Sequence, residues 1–171
     1  MSEEFNPEKN RQEIFSELRI MAHAQARQDL AERIRTNPIP TEEESSLGLF
    51  KERLEPQVRD VLLDLHTKGY HTMSSGFDPY EPIKQSICFY NEVQLSDQAK
   101  KTIESLGAKV ATVPFRGEEG SYWKIEFIAE QADLEALKLM WNKIGQLLPP
   151  TGNKPFRSVW ADKFEKEFPA R

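Results

Sequence analysis

Apolar positions in residues 7–36 recur at three- and four-residue steps, which predicts one long helix. Phe15, Leu18, Ala22, Ala26 and Leu30 form its stripe, and Ile14, Met21 and Ile34 widen it. Asn6 suits the N-cap and Pro7 the first helical position, where a missing N–H costs nothing. Asn37-Pro38-Ile39-Pro40 stops the helix, because proline cannot continue the ladder. A second helix is expected over residues 41–68. Thr41 and Glu44 stand at capping-box spacing, and Leu47, Phe50, Leu54, Val58, Val61 and Leu65 form a narrow seam. Glu55 and Arg59 are spaced for an i,i+4 pair. Pro56 kinks or restarts this helix with Glu55 as a hinge. Gly69 ends it, with Leu65 and Tyr70 at the spacing of a Schellman contact. The two helices most simply form an antiparallel hairpin.

After Gly69 the period changes to two. Strands are expected at 71–77, 85–93, 109–115 and 122–129, with Ile87, Phe89 and Val93 on one face of the second. Trp123, Ile125, Phe127 and Ala129 share a face of the fourth, while Tyr122, Lys124 and Glu126 share the other. Pro114 confines the third strand to an edge or an exit. Ser96 caps a helix to Leu106, with Ala99, Ile103 and Leu106 on its apolar side. A last long helix spans 133–148, with Leu134, Leu137, Trp141, Ile144 and Leu148 on one stripe. The fold class is therefore α+β: an N-terminal long helical hairpin, a two-layer β-β-α-β-β-α antiparallel-sheet domain, and a short C-terminal helix. The units are residues 1–69, 70–150 and a tail, 151–171. In the tail, Ser158 is the expected N-cap of a helix carrying Trp160, Phe164 and Phe168 at i+4 steps, which docks in cis or meets a partner.

Composition adds mainly exclusions. The chain has 171 residues, 30% charged and 38% hydrophobic, with a net charge of −5. No segment gathers the basic stripe that phosphate binding needs, so neither nucleic acid nor a membrane surface is expected as a partner. The single cysteine rules out a disulfide framework and any multi-cysteine zinc site. No apolar run is long enough for a membrane span, and the polar, acidic start is unlike a secretory signal, so a cytoplasmic location is expected.

Candidate chemistry concentrates in Gly69-Tyr70-His71-Thr72-Met73-Ser74-Ser75-Gly76-Phe77-Asp78, which sets small hydroxyl residues beside His and Asp. Small residues let a ligand approach the backbone, and hydroxyls can hold a carboxylate, phosphate or amide. Ser74, Ser75, Gly76 and Tyr80 are candidate ligand-binding residues here, with Tyr122 and Lys124 on the sheet. The catalytic reading takes Ser75 as nucleophile, His71 as base and Asp78 as its orienter. No G-x-S-x-G elbow supports it. Elsewhere the readings are structural. His23 and His66 lack metal-ligand spacing and read as surface or helix-end residues. Cys88 reads as a small buried hydrophobe, and Glu42-Glu43-Glu44 as first-turn helix chemistry. Arg116-Gly117-Glu118-Glu119-Gly120 lacks a P-loop's Lys-Ser/Thr. Neither a metal nor a cofactor is expected.

Glu55-Pro56-Gln57-Val58-Arg59-Asp60, the Gly69-Tyr70 and Ser74-Ser75-Gly76-Phe77 stretch and the Trp141 helix together resemble a small bacterial protein family of unknown function. The resemblance spans roughly residues 10–150; it implies no activity and transfers no functional residue. The expectation is a non-enzymatic binding or protein-interaction module, with a protein partner or second copy met through helices 7–36 and 41–68 or through Trp160, Phe164 and Phe168. The alternative is a small hydrolase or transferase using the His71–Asp78 loop.

Overall fold

The structure, a computed structural model, describes residues 6–90 and 95–170. Helix α1 (Pro7–Thr36) begins where Asn6 accepts the N–H groups of Glu8 and Lys9, and Phe15, Leu18, Ala22 and Ala26 are its buried side. Ile14, Met21 and Ile34 do not widen that side; all three are exposed. They flank a stripe that is one residue wide per turn, so α1 buries only a narrow face.

The expected second helix is three pieces. The capping box of Thr41 and Glu44 starts α2 (Glu42–Leu47), but Gly48 adopts a left-handed conformation and ends it. A 3-10 turn over Lys51–Arg53 follows, and α3 (Arg59–Thr67) begins only after Pro56. Leu65 and Tyr70 do close a Schellman motif, with Tyr70 N–H donating to Leu65 O and Gly69 N–H to His66 O. Glu55 and Arg59 do not pair. Glu55 is drawn to His23 at 2.8 Å and Arg59 to Asp29 at 2.6 Å, so the link before α3 and the start of α3 are each tied to α1.

Breaking the helix buries a charge. The Glu44 carboxylate is fully buried, and Arg33 Nη2 and Nη1 donate to its two oxygens at 2.7 and 3.1 Å. The backbone N–H groups of Thr41 and Lys51 donate to the same oxygens. Arg33 also reaches Glu52, the carbonyls of Asn37 and Ile39, and the face of Phe50. Burial alone would raise the Glu44 pKa, but the guanidinium and the two N–H groups overcome it and hold the carboxyl below its ordinary value.

The sheet comprises β1 (Thr72–Phe77), β2 (Lys84–Phe89), β3 (Ala108–Pro114) and β4 (Ser121–Ile128), antiparallel in the order β1-β2-β4-β3. Val93, expected on β2, lies outside the described residues. β3 is an edge strand, which accommodates Pro114. α4 (Asp97–Ser105), capped by Ser96, and α5 (Leu134–Leu147), capped by Asp133, contribute Ile103, Leu137, Trp141 and Ile144 to the core. Ile87, Phe89, Trp123, Ile125 and Phe127 meet them from one sheet face. Phe15, Leu18 and Ala22 of α1 and Val61 and Leu65 of α3 belong to the same cluster, so side chains on both sides of Gly69 share one core. The opposite sheet face holds Lys124 and Glu126, paired at 2.8 Å.

The tail docks in cis. Ser158 is not the helix cap; its hydroxyl accepts the N–H of Trp160, and α6 (Ala161–Glu167) starts one residue later. Phe164 and Phe168 pack edge-on against Phe50, with ring centroids 5.0 and 4.8 Å away. Removing the buried charge of Glu44 should leave Arg33 with Glu52 as its carboxylate partner and the buried site without its anion: Glu44→Gln is expected to cost about 3–5 kcal/mol in denaturant unfolding at pH 7. Because the folded carboxyl titrates low, its contribution is present above about pH 4.5 and lost as pH falls below it.

Candidate functional site

The free edge of β1 and the segment before α6 form the two long walls of a groove of about 480 Å³. Thr72, Met73, Ser74 and Ser75 line it from β1, and Phe156, Arg157, Ser158, Val159 and Trp160 from the tail. Leu47, Leu49, Leu54 and Leu62 add apolar lining, together with His71 and Tyr90.

Each wall is positioned by identifiable bonds. On the tail side, Ser46 of α2 holds the chain twice: its hydroxyl donates to Phe156 O at 3.0 Å, and its carbonyl accepts Ser158 N–H at 2.9 Å. Upstream, Thr151 donates to Lys68 O through both its N–H and hydroxyl, and Tyr70 Oη donates to Pro149 O at 2.6 Å. Phe156 is sandwiched by imidazoles, stacked on His71 at 3.7 Å and edge-on to His66 at 5.1 Å. On the sheet side, Glu55 Oε2 accepts the N–H of Phe77 at 3.0 Å and an N–H of Gln57 at 2.8 Å. The Glu55 carboxylate lies over Gly76, where any side chain would collide with it. Gln57 and Trp141 both donate to Gln85 Oε1, which carries this polar chain into the core.

Sequence expectations meet this geometry unevenly. His71, Ser74 and Ser75 do line one groove. Asp78 does not join them: its carboxylate accepts the N–H groups of Tyr80 and Glu81, an Asx turn at the far end of β1. At about 3.3 Å rise per residue, β1 holds Asp78 roughly 20 Å from His71, too far to orient its imidazole. Tyr80 projects from that turn into solvent. Tyr122 and Lys124 lie on the open sheet face, away from the covered one, with Tyr122 against Phe115. His66 stands in the last turn of α3, at the helix end as expected, but not on the surface. It is buried, with Nε2 3.2 Å from Ser46 Oγ. Cys88 is buried as expected.

Among the groove residues that sequence reasoning did not assign as ligand contacts, four are conspicuously exposed: Met73, Tyr90, Val159 and Trp160. They are 37, 52, 88 and 66% exposed, although all are large and apolar. The i+4 aromatic spacing was the available signal, but it cannot show that Phe164 and Phe168 turn inward while Trp160, at the cap, turns out. No group of three or more metal-ligating side chains occurs among the described residues. Comparison with protein-family models, curated protein sequences and solved structures finds no match.

Burial pushes the His66 imidazole below its ordinary pKa; Glu43 opposes this and His71 adds to it, while His71 is itself lowered by burial. Both rings therefore take up protons less readily in the folded protein than in the unfolded chain, which does so near pH 6.5. Stability is fully present above that value and falls as pH drops through it. Urea unfolding at pH 7.5 and 5.5 should show this loss, and His66→Asn should reduce it; equal losses in both proteins would contradict the assignment.

Proposed function

We propose that this protein is a binding module, and that its site is the groove between β1 and the Phe156–Trp160 segment. The observation that carries this reading is the convergence of Met73, Tyr90, Val159 and Trp160. These exposed apolar residues come from three separate stretches of chain and line one concavity. Isolated exposed apolar side chains are ordinary, whereas a contiguous, concave set marks a place that something covers. The groove's volume lies within the range of ligand sites, and its lining is mainly apolar, with a few polar groups: His71, Thr72, Ser74 and Ser75 beside or on the strand wall and Arg157 and Ser158 on the tail wall. A catalytic reading draws no such support, because Asp78 is committed to its turn. No helix among the described residues is long and apolar enough to cross a membrane, and we place the module in the cytoplasm.

A neutral apolar dye, Nile red, tests the reading. Saturable enhancement of its emission is expected, weakened about tenfold by Trp160→Ala combined with Met73→Ala. Both positions are exposed, so each change should alter stability by no more than about 0.5 kcal/mol. Leu139→Ser, on the distant exposed side of α5, should leave dye binding unchanged. Absence of saturable binding, or equal binding by the double variant, contradicts the proposal.

A further inference from the structure

The groove is bounded on one side by backbone, and the parity of the β1–β2 ladder says which backbone groups face it. Asp78 N–H donates to Lys84 O, so residues 78 and 84 form a hydrogen-bonded pair. Such pairs alternate along an antiparallel ladder. Gly76 with Ser86 and Ser74 with Cys88 are therefore the next bonded pairs, and Ser75 and Phe77 turn their N–H and C=O groups away from β2. The Phe77 N–H obeys this parity: it leaves the sheet and donates to Glu55. Glu55 thus closes one end of the free edge. Two residues back, Ser75 opens into the groove. Beyond the irregularity at Met73, Tyr90 N–H donates to His71 O, which by the same parity turns Thr72 outward as well.

We propose that the groove takes an extended, uncharged peptide segment of another protein, which adds to β1 as a fifth strand by exchanging backbone hydrogen bonds with Ser75. This rests on the reading of the groove as a binding site and names its ligand. Outward N–H and C=O groups on one strand, about 4.8 Å from the axis of any added strand, are complementary to a second extended backbone. Charge fixes the side chains. Among the described residues no Asp or Glu lines the groove, and the one fixed charge in that lining, Arg157, is held by Asp162 and Glu165. A charged residue seated against Leu54 and Leu62 would lose its water and gain no counter-charge. An uncharged segment avoids that penalty.

The probe is a heptapeptide selected on the full chain from a random phage-displayed library, synthesised with a fluorescent label and titrated by anisotropy. The expected ligand has apolar residues at alternate positions and no ionic side chain in its central residues. N-methylation at alternate backbone nitrogens blocks one edge of the peptide. One methylation frame should weaken binding about tenfold, the scale of a lost hydrogen bond, and the other should leave it within twofold. Ser75→Pro removes the outward N–H and leaves the bonded pairs on either side intact; it should weaken binding by a similar factor. Equal binding in both frames and by Ser75→Pro overturns strand addition, while Nile red binding sensitive to Trp160 would leave the broader reading standing. If the Ser75→Pro change instead dissolves a dimer of the free protein seen in sedimentation, the edge belongs to a second copy and the proposal is overturned. Failure to select any peptide overturns it too. The N-methyl comparison needs no altered protein, so poor folding of the proline variant cannot shelter the proposal.

Discussion

A carboxylate that water cannot reach organises one side of this protein. Glu44 is fully buried and accepts four hydrogen bonds, two from Arg33 and two from backbone N–H groups. A buried charge is tolerated only when its oxygens are satisfied, and removing one partner costs several kcal/mol. The end of α1, the start of α2 and the following 3-10 turn therefore have one mutual arrangement. Phe50 lies under the Arg33 guanidinium and is the surface on which Phe164 and Phe168 pack. Ser46, in the same short helix as Glu44, holds the carbonyl of Phe156 and the N–H of Ser158. The tail wall of the groove hangs from this pair.

A second carboxylate governs the sheet wall. Glu55 takes one N–H from the edge of β1, one from Gln57, and faces His23 on α1. It covers the strand at Phe77 and leaves it open at Ser75. Edge strands invite pairing along their whole length, and proteins limit this with charges placed against the edge. Here the limit is local, which leaves a short backbone segment free inside an apolar concavity. Exposed pairs such as Arg157 with Asp162 and Glu165 add little by comparison, because solvent screens them.

The elements that depend on local chemistry were legible in the amino-acid pattern. Asn6, Thr41 and Ser96 cap the helices that their types imply, and the alternation in residues 122–129 identifies the strand β4. Apolar spacing in residues 47–65 also fits a continuous seam, yet the chain breaks there. The break is favoured by contacts distant in sequence: Arg33 to Glu44, Asp29 to Arg59, His23 to Glu55. Periodicity carries no record of such partners. The candidate site was half legible for the same reason. The small, polar run at residues 71–76 pointed to one wall, but the opposing wall is made by residues eighty positions away, brought there through Ser46 and Phe50. The helix-end position of His66 was legible, but its burial was not, because only the folded chain brings Phe156 over it.

The parity of the ladder leaves the backbone groups of Ser75 turned away from β2, toward the groove. Residue-resolved amide hydrogen exchange by NMR on the free protein tests it most directly. The geometry predicts slow exchange at Ser74 and Gly76, whose groups face β2, and at Phe77, whose N–H is held by Glu55, with much faster exchange at Ser75 between them. Protection of the Ser75 amide equal to that of Gly76 would contradict it, because the edge would then already be paired.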